Sequence, residues 1–293
     1  MELDYVKLKE IKPALSGYLR ESQILMKQSE VPDEKAVHDI RVLMKKARAL
    51  LKLVSPQLDN GYNDRDMAAL KNVGQLTRKW RETPVLRKLL KEFKKDNPEI
   101  FEQLSDNANL NKILGKKEAN TESSTELPES TDQINTLLSK TSYRVRFQSM
   151  NAVDPQVLLK ELDVSYKKVV GLYVKCRNSS KSTSLHKLRK RAKDFLYQLY
   201  IFRPLNPSKI KSLEKQLESI NQNLGKYNDL AQIIEILEYD YKADSSQPAL
   251  DELVIKIRDA QDKYLAKMWP AAYQIFCPGQ NLINVLGFKL LVI

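Results

Sequence analysis

At 293 residues the chain is long enough for one large or two medium domains, and its eight glycines favour long helices over a turn-rich sheet protein. Forty-nine Lys and Arg against 37 Asp and Glu leave a formal net charge of +12, which says nothing about fold but predicts attraction to polyanions: nucleic acid, an anionic membrane surface or polymeric phosphate. Cys176 and Cys277 stand alone and far apart, which excludes a cysteine zinc site and a disulfide framework. No apolar run approaches the roughly 20 residues that span a bilayer. The acidic start Met1-Glu-Leu-Asp lacks the basic and then apolar run of a signal peptide, so the expected setting is the reducing cytoplasm.

In chain order, apolar residues at three- and four-residue spacing predict a first helix over 2–29. Asp33 is placed to cap a second helix that runs to Val54 and stops at Ser55-Pro56. A third helix fits 58–81, and Thr83-Pro84 reads as an N-cap followed by a first-turn proline, opening a fourth helix to Lys95. The polar stretch around Glu122–Ser130 reads as part of a flexible linker over 105–131, with a short connecting helix at 132–148. Asp154-Pro155 then opens a helix to Arg177, followed by helices over 184–202, 207–224 and 227–242 and a last long one from Pro248 to Ile275. Strand-like alternation is confined to the C-terminal tail, Leu282–Ile293, which either closes the bundle or forms a subunit contact.

The two halves repeat. Val37-His-Asp-Ile-Arg-Val-Leu-Met-Lys matches Leu185-His-Lys-Leu-Arg-Lys-Arg-Ala-Lys, and His38 and His186, the only histidines, are 148 positions apart. The helix-stopping prolines Pro56 and Pro204 share that offset, and the acids Glu82 and Asp229 differ by 147. Such spacing marks a duplicated four-helix unit: an all-α protein with a first half over 1–104, a linker with its helix over 105–150 and a second half over 151–293.

On a helical wheel Arg41, Lys45, Arg48 and Lys52 fall in one arc of about 80° beginning at His38. Ile40, Leu43, Met44, Ala47, Leu51 and Val54 fill the adjoining apolar arc. In the second half His186, Arg189 and Lys193 form the same stripe, with Lys190 and Tyr197 beside the histidine. Like charges at this spacing repel by a few tenths of a kcal/mol per pair. Only Asp39 and Asp194 lie nearby, both pointing away from the stripe. The rows therefore invite an external anion: arginine forks onto phosphate oxygens, lysine follows as a mobile point charge, and histidine adds a donor whose charge responds to the ligand. Arg191 falls on the apolar side of its wheel and reads as a partner for an acid. Tyr166, Tyr173, Tyr197 and Tyr200 read as packing at the core or its rim rather than as stacking platforms. Lys167, Lys168, Lys175 and Arg177 either extend the patch or only solvate it.

His38-Asp-Ile-Arg41-Val-Leu-Met-Lys45-Lys-Ala-Arg48 and His186-Lys-Leu-Arg189-Lys-Arg-Ala-Lys193 resemble the paired signatures of the CHAD family, the conserved histidine α-helical domain. Leu224-Gly-Lys-Tyr-Asn-Asp is similar to that family's second-half motif, and Arg81-Glu82 stands where its first half has Arg-Asp. The resemblance implies two four-helix bundles related by pseudo-twofold symmetry and a basic channel or surface that binds inorganic polyphosphate. By motif match it carries that role to His38, Arg41, Lys45, Arg48, His186, Arg189, Lys190 and Lys193; Lys52 and Tyr197 join them from the wheel alone. Two departures stand out: Leu196 replaces the counterpart of Arg48, and Thr77-Arg78 replaces the first-half Leu-Gly step. The Glu-x-Glu-x-Lys strand of the triphosphate-tunnel hydrolases that some relatives carry is missing from the sequence, so a stand-alone module is expected.

The sequence thus predicts a polyphosphate-binding protein that joins or organises polyphosphate granules, with no membrane partner, no cofactor and no catalytic residues. The stripe offers neither paired carboxylates for magnesium nor an activated nucleophile, and Glu34, one turn before His38, completes no metal site. A nucleic-acid-binding protein is the first alternative, although the rows lack the interleaved aromatics of single-strand binders. A histidine phosphotransfer module is the second, although Val42 and Lys190 occupy the position where such sites carry a small glycine.

Overall fold

The computed structural model describes residues 11–28, 32–58, 60–115, 126–148, 150, 153–239 and 248–287. Within them every regular element is helical: α1 (Ile11–Lys27), α2 (Glu34–Val54), α3 (Asn60–Leu76), α4 (Lys79–Asp96), α5 (Pro98–Gln103), α6 (Ala108–Leu114), α7 (Glu126–Phe147), α8 (Pro155–Asn178), α9 (Ser182–Phe202), α10 (Pro207–Tyr239), α11 (Pro248–Phe276) and α12 (Leu282–Leu286). The protein is all-α. The cap signals act where the sequence places them. Asp33 accepts the Ala36 N–H at 2.7 Å, and Asp154 accepts that of Gln156 at 2.8 Å, each satisfying a donor that the first helical turn leaves open. Pro56 and Pro204 turn the ends of α2 and α9 into single 3-10 turns, Ser55–Gln57 and Arg203–Leu205.

Helix α1 packs on α2 and α7, and α3 packs on the same two. In the second half α8 lies on α9, α9 on α10 and α10 on α11, while α2 packs directly on α9 and so joins the halves. One apolar core runs through both, from Ile11, Leu15 and Leu19 by way of Ile40, Met44 and Leu51 to Leu188, Phe195 and Phe276. Phe195 is fully buried between Tyr166 (ring centroids 5.7 Å apart) and Phe276 (6.5 Å), and a side chain so placed contributes about 1.5–3 kcal/mol. Tyr166 donates its hydroxyl to the Ile275 carbonyl at 2.8 Å, which makes its burial affordable. Cys176 is fully buried with its thiol pushed up to about 11, an inert packing residue.

The structure departs from the sequence expectations at several places. The third helix ends at Leu76 rather than 81, and α4 starts at Lys79, so Pro84 lies inside α4 and not at its first position. The expected pair of helices over 207–242 is one helix, α10, because Leu224, Tyr227 and Leu230 continue its buried stripe straight through Gly225. The helix expected at 132–148 starts six residues earlier; Ile134, Leu138 and Val145 are fully buried against α1 and α3, so it is a bundle element. The tail is not a strand where it is described: α12 buries Leu282, Val285 and Leu286, and Asn206 Nδ2 donates to the Leu286 carbonyl at 3.1 Å, so this part closes the bundle. Gly287, at φ 70°, ends α12 in the left-handed conformation that glycine adopts without strain.

A smaller second core, separate from the first, gathers α4, α5 and α6 with the far part of α10 and the start of α11. Leu90, Phe101 and Leu110 meet Ile233 and Leu253 there. The first residues of the expected linker, 105–115, belong to this unit; 116–125 lie outside the described residues, as do 1–10, 288–293 and the side chains of Arg81 and Glu82.

Candidate functional site

The apolar arcs read from the wheels are the buried faces of α2 and α9, and the two helices meet where Gln198 Nε2 donates to the Ala49 carbonyl at 3.1 Å inside the core. The neighbouring edge of α2 carries His38, Arg41, Lys45, Arg48 and Lys52, all half-buried. On α9, His186, Arg189 and Lys193 are half-buried and Lys190 is exposed.

Two arginines are held by the third helix of their own half. Arg41 Nη1 donates to the Gly74 carbonyl at 2.7 Å and to Thr77 Oγ1 at 3.2 Å, at the C-terminal end of α3, where unpaired carbonyls and the helix dipole both favour a cation. Arg189 instead lies flat on α10 at Gly225: a Cβ added there would stand 3.3 Å from Nη2 and 3.4 Å from Nε. Gly225 and Thr77 are again 148 positions apart, which corrects the reading of Thr77-Arg78 as the replaced step: Leu76 keeps its leucine and Thr77 alone stands in place of its glycine. One half grips its arginine with a hydroxyl, and the other makes room for it by removing a side chain.

His186 shows how the rows come together. Its side chain is hydrogen-bonded to that of Asn228, which favours protonation of the ring, and Asn228 Nδ2 also donates to the Leu224 carbonyl at 2.7 Å. Burial nevertheless depresses the imidazole pKa, and so do Lys190, Arg189 and, from the first half, Arg78. Arg78 directly follows Thr77, which is bonded to Arg41. The turn between α3 and α4 therefore carries Arg41 on one side and reaches His186 on the other. Arg78 and Asn228 were not among the sequence candidates; the Thr77-Arg78 departure was the one available signal for the first.

The far end of the α2 row is different. Lys52 Nζ lies 2.5 Å from Asp194 Oδ2, and Arg191 reaches the same oxygen at 3.8 Å. The expectation that Asp194 points clear of the stripe is thus corrected: the crossing at Ala49 and Gln198 brings an acid on the flank of α9 against the end of the α2 row. The acid found for Arg191 is as expected, but Arg191 is exposed and not on the apolar face. Arg48, beside Asp194, has its pKa lowered by burial, partly offset by that carboxylate, and its Nε is buried without a hydrogen-bond acceptor among the described residues.

Tyr197 is a second correction. Only 7% of it is exposed, because it belongs to the main core beside Tyr200 (centroids 5.9 Å apart). What it offers the row is a ring 5.8 Å from Lys193 Nζ. Tyr166 and Tyr173 are likewise buried packing residues. Lys46, next in sequence to Lys45, sits on the opposite flank between the rings of Tyr18 (5.8 Å) and Tyr200 (5.7 Å). On α8, Lys167 pairs with Asp163 at 2.6 Å and Arg177 stacks on Trp269 at 5.0 Å, so these two cations serve local structure. Among the described residues no group of three or more His, Cys, Asp or Glu side chains is placed to hold a metal ion, and no helix is long and apolar enough to cross a membrane.

A family model, the CHAD domain, matches residues 18–238. The chain belongs to the CHAD family. The crystal structure of the CHAD domain from the plant Ricinus communis superposes with a TM-score of 0.59 at 16% identity, covering 99% of this chain and 94% of that one; at this identity the likeness is one of fold. No curated protein matches. In this CHAD domain both signature histidines and both following arginines lie on the paired central helices, and the second-half signature glycine is the seat of Arg189.

Proposed function

We propose that this CHAD domain binds inorganic polyphosphate along the basic edges of α2 and α9, as a binding module rather than an enzyme. The observation that carries the reading is the setting of His186 among cations of both halves: Lys190 and Arg189 on its own helix and Arg78 from the other half all oppose its protonation. Like charges in such proximity cost stability. A polyanion would remove that cost, and a flexible one could follow both edges. The 148-residue repeat supports reading the two halves as duplicated units that present equivalent rows to one ligand.

The test is a titration with polyphosphates of defined length, with RNA and heparin as competitors, on the wild type and on the double variant Arg41→Ala/Arg189→Ala. Each charged hydrogen bond is worth roughly 1.5–3 kcal/mol, so the double variant should bind more weakly by several kcal/mol while circular dichroism confirms its fold. Unchanged affinity would remove the site, and tighter binding of RNA than of polyphosphate would move the protein to nucleic acid.

A further inference from the structure

Helix α4 leaves the site from its basic end. It starts at Lys79, directly after Arg78, packs on α2 and α10, and extends about 27 Å at 1.5 Å per residue. Its Leu86, Leu89 and Leu90 are buried in the second core, so the opposite face looks outward. Along that face Pro84, Arg87, Lys88, Lys91, Glu92 and Lys95 line a shallow groove of about 450 Å³. Lys88, Lys91 and Lys95 are exposed, and Arg87 is fixed by donating its Nε to the Ile113 carbonyl at 3.0 Å. The 18 residues of α4 hold seven basic and three acidic side chains, a net +4 and so a third of the whole chain's excess. Arg87, Lys91 and Lys95 follow one another at four-residue steps, the spacing at which like charges destabilise a helix, and Glu92 is the one acid in the groove.

We infer that the outward face of α4 is a second anion-binding surface, continuing the track from Arg78, so that chains long enough to leave the α2–α9 site and lie along α4 are preferred over short ones. This rests on the polyphosphate reading above and adds to it a ligand length and a path. Arg87 supplies a fixed fork near the start of the groove and the lysines mobile charges beyond it, an arrangement suited to a polymer with no sequence to be read.

The triple variant Lys88→Gln/Lys91→Gln/Lys95→Gln changes only exposed side chains and is compared with the wild type in binding tripolyphosphate, long-chain polyphosphate and single-stranded RNA. The expected result is a loss of about tenfold for the long chain, with a log–log salt slope shallower by about 2, from roughly 0.7 per phosphate neutralised on a flexible strand. Tripolyphosphate affinity should stay unchanged. Equal long-chain binding by variant and wild type overturns the extension alone, and so does an equal loss for tripolyphosphate, which would make the lysines a general field. A loss confined to RNA assigns the face to nucleic acid and overturns it as well. If the wild type binds neither phosphate, the polyphosphate reading falls and takes the extension with it.

Discussion

His186 is where charge, burial and ligand meet most closely. Its folded-state pKa lies below the usual value near 6.5, first because it is half-buried and then because Lys190, Arg189 and Arg78 oppose a further positive charge. Bound phosphate would reverse the electrostatic part, raise the pKa and couple binding to proton uptake. Affinity should therefore rise as pH falls from about 8 towards the depressed free-state pKa and level off below it. Without ligand the sign is opposite for stability. A group whose folded pKa is depressed binds protons better when unfolded, so stability falls as pH drops from the unfolded value through the folded one. His186→Asn should flatten both profiles relative to the wild type, read by titration calorimetry and by thermal melts over the same pH range. Parallel pH profiles for variant and wild type would take His186 out of the binding equilibrium.

At the scale of elements, a glycine and a threonine at equivalent positions make different helices. Thr77 and Arg78 form the turn between α3 and α4, with Thr77 N–H bonded to the Val73 carbonyl at 3.1 Å, whereas α10 runs unbroken through Gly225. Glycine inside a helix costs about 0.5–1 kcal/mol relative to alanine, so its place under the Arg189 guanidinium carries a benefit other than stability. Gly225→Ala should leave the melting temperature unchanged or slightly raised while weakening polyphosphate binding, since Arg189 must shift by a few tenths of an ångström from its seat. A variant that melts as predicted but binds like the wild type would show that the seat does not set the arginine's position. The caps at Asp33 and Asp154 and the stops at Pro56 and Pro204 were legible in the sequence because each depends on one or two adjacent residues. Both basic rows were legible because they lie on single amphipathic helices. The continuity of α10 was not, because a buried stripe overrides the local propensity of Gly225. The burial of Tyr197 was legible in its place among the tyrosines at helical spacing, but the pairing of Lys52 with Asp194 and the effect of Arg78 on His186 were not, because each arises between helices of opposite halves, which no local pattern encodes.

At the scale of the whole molecule, the question is whether a net charge of +12 acts as a diffuse field or through organised contacts. A diffuse field attracts any polyanion, is screened within about 10 Å at 0.1 M salt, and draws the unfolded chain as strongly as the folded one. An organised site binds only the folded state, which adds RT ln(1 + [L]/Kd) to stability, about 2.7 kcal/mol at a hundredfold excess over Kd. Tripolyphosphate should therefore raise the melting temperature of the wild type, and the rise should shrink as salt increases. Two variants of equal net charge, +10, separate the cases: Arg41→Ala/Arg189→Ala removes the anchored guanidinium groups, while Lys211→Ala/Lys215→Ala removes two exposed cations from α10. With each shift measured against the variant's own unliganded melt, the arginine variant should lose it and the lysine variant keep most of it. An equal loss in both would mean that the fold merely carries charge. Retention in the lysine variant alone would show that α2 and α9, crossed at Ala49 and Gln198, turn that charge into a receptor for phosphate.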